Sequence, residues 1–571
     1  MQKTQNAMST RKIVTGAIVI IALIGLLLAQ TAAGQLNTTR TNSSSGTILA
    51  PTAKPTYTIS TVGANYYAEN GATGVIVASN TNASKLINSL IKNFYSFLFE
   101  AGTYQFNTPI ELSGNTLNIN TVFEGVGTAT VLNMSSSSTG PIFSMNTHGS
   151  TVIADMTLQN LNTALAQKLI QLGTPTANVQ LTNLILNDMG PASSDAISSW
   201  AYPTPITNIQ ISNCQINAPN SYGIYLHYTN NVVVEGCHFL NVAYAAVGSQ
   251  SESSNVTVTN NIINRSKDTA FDFECIDTEY PNYSTWTYSI TNNIIKSTGG
   301  SAIFCINAHD GVISGNTILN ATGIGGMGAI VLATSAQVPS GNNINGSKIL
   351  NNVITQAYAG IFVYGESGRT TSNVVVENNS ISDCQLMGIE LGGWTENILV
   401  ENNAVTNTSL SSPHQYDGLD NKGGYDCTFS GNVIMDPAGI MRNGYYENGY
   451  DYNTISYNVF LTKSQAINIT SGQIHDIITN NVGYNPIGNI AYPVSGSLLV
   501  NQGGSGPILN NTQYTNIFTP KSIYINGGKV SSVIVNGQTV FKATGCTVVL
   551  QPLQTFKVVW SKQPTITTIG Q

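Results

Sequence analysis

The sequence predicts an all-β solenoid: a parallel β-helix with an N-terminal capping helix and a small C-terminal antiparallel β domain. Three observations carry this. A motif returns about every 24 residues over roughly 300 residues, which means stacked units rather than one compact core. Each copy holds two short runs rich in Val, Ile and Thr, bounded by Asn and Gly, the composition of strands between turns. A unit this short leaves little room for a helix pair, whereas two or three short strands and their turns fill it.

At the N-terminus, Arg11 and Lys12 precede an apolar run over residues 13–29, followed by Thr31-Ala-Ala-Gly. Residues 1–34 therefore read as a secretory signal cleaved near Ala33, or as an uncleaved membrane anchor. A run of about 17 residues is at the short limit for spanning a bilayer. Residues 35–56, rich in Thr, Ser and Asn, form a linker. The β-helix is assigned to residues 57–510, with repeats strongest over 150–485. Within it, Leu86, Ile87, Leu90, Ile91 and Phe94 lie at helical spacing after Ser84, a residue that can N-cap. This helix is expected to cover the first coil, because an open solenoid end exposes strand edges.

Typical repeats are Asn255-Val-Thr-Val-Thr-Asn-Asn-Ile-Ile, Asn373-Val-Val-Val-Glu-Asn-Asn-Ser-Ile and Asn397-Ile-Leu-Val-Glu-Asn-Asn-Ala-Val. The residue after each turn is Leu184, Cys214 and Cys237, then Asn261, Asn293, Asn316, Asn352, Asn379, Asn403, Asn432, Asn458 and Asn481. Repeated Asn supplies a tight bend, since Asn tolerates left-handed backbone geometry. Stacked Asn side chains also hydrogen-bond along the axis as a ladder. Cys214 and Cys237 share this column and suit either a disulfide or two buried small hydrophobes. After Asn481 the motif stops. Residues 511–562 instead show strands joined by Asn-Gly turns, at Asn526-Gly-Gly and Asn536-Gly, hence hairpins in a small β domain.

The chain resembles the right-handed parallel β-helix proteins of the pectin-lyase-like superfamily. The resemblance rests on the repeats and on Phe99-Glu-Ala-Gly-Thr-Tyr-Gln-Phe, Pro109-Ile-Glu-Leu and Val122-Phe-Glu-Gly-Val-Gly, which are similar to that superfamily's opening coils. It implies a right-handed helix and says little about activity, because the fold hosts many. The Asn-Thr-Asp and Asp-Asp sets of polygalacturonases, with their Gly-His-Gly and Arg-Ile-Lys, are absent, as is the Asp-Pro-His signature of alginate epimerases.

Only 9% of residues are charged, and the formal net charge is −7. That balance, with Lys and Arg scattered, argues against nucleic acid as a partner. Few carboxylates change state with pH, which suits an exposed and variable setting. Thirteen Asn-x-Ser/Thr sequons agree with an exported glycoprotein. Seven Cys are too dispersed for a disulfide framework.

Each coil has a further strand beginning Gly/Ala-Ile, from Ala196-Ile197 to Ala466-Ile467. Alternation turns the residue after Ile outward, and the next but one outward again. Two patches result. The first holds Trp200, Tyr225, His227, Gln250, Asp272 and Glu274, beside the loop 276–286. The second holds Tyr364, Glu366, Glu390, Trp394, Asp417, Asp420 and Lys422, with His414, Arg442 and Tyr445 nearby. Gly439-Ile440 reads as one of the strand starts, which places Met441 and Asn443 outward.

Rings stack on the apolar face of a sugar and carboxylates accept its hydroxyls. Trp200, Tyr225, His227, Asp272, Glu274, Tyr364 and Trp394 are thus candidate substrate-binding residues for a polysaccharide or surface glycan. Two chemistries fit the second patch. Glu390 and Asp420 on adjacent coils stand at a spacing compatible with retaining glycosidase chemistry. Alternatively Asp417, Asp420 and Glu390 bind Ca²⁺, and Lys422 or Arg442 abstracts a proton beside a uronate carboxyl group. The run Asp417-Gly-Leu-Asp-Asn-Lys resembles polysaccharide-lyase segments with a calcium-binding Asp and a Lys base. The expectation is an extracellular protein, secreted or tethered by its N-terminal segment, that binds or degrades polysaccharide. The rival is a non-catalytic surface adhesin or envelope scaffold; a viral coat or tail component is a third reading.

Overall fold

The computed structural model describes residues 54–91, 95–113, 120–192, 194–201, 204–250, 253–274, 287–323, 327–335, 343–448, 450, 452–470, 475–484, 498–500, 513–515, 521–550, 554–562 and 564–570. The chain divides after Lys54, and the elements below lie in the unit that begins at Pro55. The N-terminal apolar run falls outside the described residues. Among the described residues no helix is long and apolar enough to cross a membrane.

Three strands per coil stack into three long parallel sheets of 18, 16 and 14 strands, the first including an antiparallel start. One coil runs through Ala177–Thr182 in the first sheet, Ile185–Asp188 in the second and Ile197–Trp200 in the third. Inward residues stack on their counterparts one coil away. Val232 pairs in register with Ile209 on one side and Val256 on the other, and all three are buried. Each such aliphatic side chain contributes about 1.5–3 kcal/mol by leaving water. Repeated coil by coil, this builds one continuous core from Ile59 to Ile467.

The Asn pairs sit at the corner between the first and second sheets and divide their tasks. The first member takes left-handed backbone geometry, as at Asn260 (φ 56°), Asn292 (55°) and Asn402 (54°), with Gly315 and Gly431 as its equivalents. The second member is buried and forms the ladder. Asn293 Nδ2 donates to Asn316 Oδ1 at 3.0 Å and to Val258 O at 2.9 Å. The Asn293 backbone N–H donates to the same Oδ1 at 3.0 Å. The pattern runs from Asn261 to Asn481. Above it, Cys214 and Cys237 are buried free thiols, so the small-hydrophobe alternative holds and the disulfide does not.

β1 (Tyr57–Val62), β2 (Asn65–Asn70) and β3 (Ile76–Asn80) form an antiparallel meander, and β1 also pairs in parallel with Tyr95–Phe99 to start the first sheet. The expected helix is α1 (Ala83–Leu90), packed on β2, β3, Gly102–Phe106 and Ile110–Ser113. Leu86 and Ile87 are buried, and Leu90 and Ile91 pack on the core; Phe94 lies outside the described residues. The N-cap is Asn82, not Ser84: Asn82 Oδ1 accepts from the Lys85 N–H at 2.9 Å. Ser84 sits inside the helix and donates to Thr108 O.

The C-terminal segment forms two small antiparallel sheets around a separate core of Ile523, Ile525, Val533, Phe556 and Val558. Asn536-Gly537, with both φ positive, closes a hairpin between Lys529–Val535 and Gln538–Phe541. Asn526-Gly-Gly does not. Its flanking strands, Lys521–Asn526 and Lys529–Val535, belong to different sheets.

Candidate functional site

The outer face of the third sheet carries the predicted columns. Register runs Ser198–Tyr225–Gly248–Asp272–Phe304 and on through Val331, Phe362 and Glu390 to Asp420. The parallel column runs His227–Gln250–Glu274–Ile306–Ala333–Tyr364–Gly392. The column then departs from expectation. Asp420 pairs with Tyr446, because the next strand is Asn443–Glu447 and Gly444-Tyr445 takes the Gly-Ile position. Met441 and Tyr445 are fully buried, and Asn443 nearly so. None of the three faces outward.

The first patch assembles as one surface. Trp200 is 62% exposed, and its indole stacks on the His227 ring at 4.4 Å and 10°. His227 is buried beneath it. Tyr225 donates its hydroxyl to Gln250 Oε1 at 2.8 Å. Tyr222 and Tyr244, on the turns that precede their strands, extend the platform: Tyr222 lies 5.0 Å from Tyr225 and 5.3 Å from Tyr244. Gly248 makes room for it, since a Cβ there would meet the Tyr222 ring at 2.8 Å. Tyr222 and Tyr244 were not visible to a reading confined to strand positions. The available signal is a tyrosine two or three residues before the strands that start at Ile224 and Val247.

Asp272 and Glu274, two apart on one strand, both face outward and are partly exposed. Each carboxyl shifts the titration of the other. Burial pushes the Asp272 carboxyl up to about 8, and the charges of Glu274 and Asp268 add to it. Burial also raises Glu274 against the lowering effect of Asp272. The pair therefore holds one proton near neutrality, giving a hydrogen-bond donor beside an acceptor. The loop 276–286 beside it lies outside the described residues.

The second patch is closed by its own cations. Lys422 Nζ lies 3.0 Å from Glu390 Oε2 and 2.8 Å from Asp420 Oδ2. The Asp420 side chain is 0% exposed and that of Glu390 9%, so no substrate reaches Asp420 in this arrangement. Burial first, then the charge of Asp417, raises Asp420 to about 7. Arg442 donates from Nε and Nη2 to both oxygens of Asp417, which also accepts from Asn443 Nδ2 at 2.7 Å. Arg442 lies 4.3 Å over the Tyr446 ring. Tyr364 stacks on Phe362 at 5.5 Å, and Trp394 is 58% exposed nearby on the turn after Glu390.

These contacts set the charge state of both cations. Burial alone would lower the Lys422 ammonium, but Asp420 and Glu390 reverse this and raise it. Hydrogen bonds to Asp417 likewise raise Arg442. Both hold their protons more tightly than a free side chain does. Lys422 engages Glu390 Oε2 and Asp420 Oδ2, and Arg442 engages both oxygens of Asp417. Among the described residues no group of three or more His, Cys, Asp or Glu is placed to hold a metal ion.

Residues 169–278 and 281–405 match the family described as the right handed beta helix region. With the sheet topology, this makes the chain a parallel β-helix protein. No curated protein matches the sequence. Among solved structures, the chain is similar to the tailspike protein of E. coli bacteriophage HK620 in complex with pentasaccharide, at 11% identity and TM-score 0.47, covering 83% of this chain and 85% of that one. It is similar to the A-module of a mannuronan C-5 epimerase from Azotobacter vinelandii, at 13% identity and TM-score 0.39, covering 70% and 95%. It is also similar to a surface adhesin of Streptococcus pneumoniae, at 14% identity and TM-score 0.35, covering 74% and 85%.

Proposed function

We propose that the outer face of the third sheet binds an extended polysaccharide, and that the protein is exported to present this face outside the cell. The observation that carries the reading is the exposed Trp200 indole stacked on His227, with Tyr222, Tyr225 and the Asp272–Glu274 pair on the same face. Apolar rings meet the flat face of a sugar, and the proton-sharing carboxyls meet its hydroxyls as donor and acceptor. The length favours a polymer over a small sugar. From Trp200 to Lys422 the face spans nine strands, roughly 38 Å at about 4.8 Å per strand.

Binding without turnover is the expected behaviour. The carboxylates assigned to hydrolysis or elimination lie under Lys422 and Arg442. The partly exposed carboxyls left on this face, Asp272 and Glu274, lie two apart on one strand and influence each other's titration, an arrangement in which one proton serves both rather than one acid and one nucleophile acting on opposite sides of a sugar. The test is titration of a glycan panel by intrinsic fluorescence, with a parallel reducing-end assay. Trp200→Ala is expected to weaken binding about tenfold, the order of one lost aromatic contact of about 1.5 kcal/mol. Unchanged affinity in that variant removes the first patch from the reading. New reducing ends that vanish in Glu274→Gln make the protein an enzyme.

A further inference from the structure

We infer that the polymer taken by this face is uncharged: a neutral polysaccharide rather than a polyuronate or a sulfated chain. The inference rests on the polysaccharide reading and adds the chemical class. The two outward columns between Trp200 and Lys422 bring Asp272, Glu274, Glu390 and Asp420 to one face and offer a single cation, Lys422. That ammonium is already within 3.0 Å of Glu390 and 2.8 Å of Asp420. Arg442, beside the columns, has its guanidinium engaged on Asp417. Each cation is therefore matched to a carboxylate of this chain before any ligand arrives.

A polyanion is recognised by cations with free donors, most often Arg in bidentate geometry. Here it would meet no free cation on the columns and would set its own charges against the negative charge that the Asp272–Glu274 pair retains. Like charges brought together in this way act as a device against the wrong partner. A neutral sugar meets no such barrier. Its hydroxyls donate to the carboxylates and accept from the protonated member of the Asp272–Glu274 pair. Between the patches the columns are apolar, with Phe304, Ile306, Val331, Ala333 and Phe362 in sequence. Such a stretch suits sugar rings and offers nothing to a charge.

The experiment titrates the full chain and its Trp200→Ala variant with laminarin and mannan as neutral polymers, and with polygalacturonate and dextran sulfate as polyanions. Each titration is run at low and at high salt. The expected result is binding of a neutral polymer, weakened about tenfold in Trp200→Ala and insensitive to salt, with neither polyanion bound. Binding of a polyanion that weakens about tenfold or more with salt overturns the inference and leaves the polysaccharide reading standing. No binding of any polymer overturns the polysaccharide reading, and the inference falls with it.

Discussion

Inside the ladder, a buried asparagine such as Asn316 satisfies four hydrogen bonds with its side chain, so a single substitution damages neighbouring coils. In Asn316→Ala the Asn293 N–H and Nδ2 lose their shared acceptor, while Ile290 O and Asn352 Oδ1 each lose a donor. All these groups are buried, and each unsatisfied one costs about 1–3 kcal/mol. A loss of about 3 kcal/mol or more is expected from the urea midpoint of this variant, against an unchanged baseline slope. A loss under about 0.5 kcal/mol would show that the ladder decorates the coil rather than holding it. The ladder was legible in the sequence because both tasks of the Asn pair leave a composition signal. The outward residues were legible for the same reason, since alternation alone predicts their register from Ser198 to Asp420. What stayed hidden was which carboxylates water or substrate can reach. Sequence spacing placed Glu390, Asp420 and Lys422 together correctly, but the ammonium folds back over the acids, and only side-chain packing decides that.

At the level of the element, errors arose where two residues of similar propensity competed for one role. Ser84 and Asn82 both suit an N-cap. The chain enters the helix one turn position earlier than the apolar spacing suggests, and Asn82 takes an extended conformation (φ −123°, ψ 115°) that aims its Oδ1 at the Lys85 N–H. Asn82→Ala is therefore expected to lower stability by about 1 kcal/mol. Thermal melting of Asn82→Ala beside Ser84→Ala checks the cap assignment against the hydroxyl bond that Ser84 makes to Thr108. If Asn82→Ala melts with the wild type, the capping bond carries no weight. The strand Asn443–Glu447 was missed for a related reason. Gly439-Ile440 and Gly444-Tyr445 both carry a Gly-plus-apolar start, and the second wins because it lets Tyr445 fill the interior against Phe429 at 4.9 Å. In the C-terminal sheets, the two Asn-Gly turns look alike in sequence. Only the pairing partners of their strands, far along the chain, separate a hairpin from a crossover.

At the scale of the whole molecule, the few carboxylates that are strongly shifted among the described residues all move the same way. Burial is the leading cause in each: Asp188 rises to about 7, Asp272 to about 8, Asp420 to about 7 and Glu447 to about 8. A carboxyl whose folded value lies above its unfolded value binds more protons in the native state. The stability it contributes is fully present below the unfolded value near 4 and is lost as pH rises through the folded value. For these four groups the window runs from about pH 4 to about pH 8, and throughout it the slope of stability against pH is negative. The paired cations do not cancel the trend, because Lys422 and Arg442 remain protonated across that range. The low charge content predicted tolerance of pH, since few groups change state; the burial of these acids turns tolerance into a preference for acid. The melting temperature is accordingly expected to be higher at pH 5 than at pH 8, the reverse of proteins whose carboxylates are stabilised as anions. Differential scanning calorimetry across pH 4–8 in a single salt concentration measures this directly. Asp272→Asn and Glu447→Gln, which mimic the neutral acids, should each flatten the curve, mostly by raising its alkaline end. A melting temperature that falls steadily from pH 8 to pH 5 would mean that these acids are ionised in the folded chain, and that the proton shared by Asp272 and Glu274 is not there to be donated.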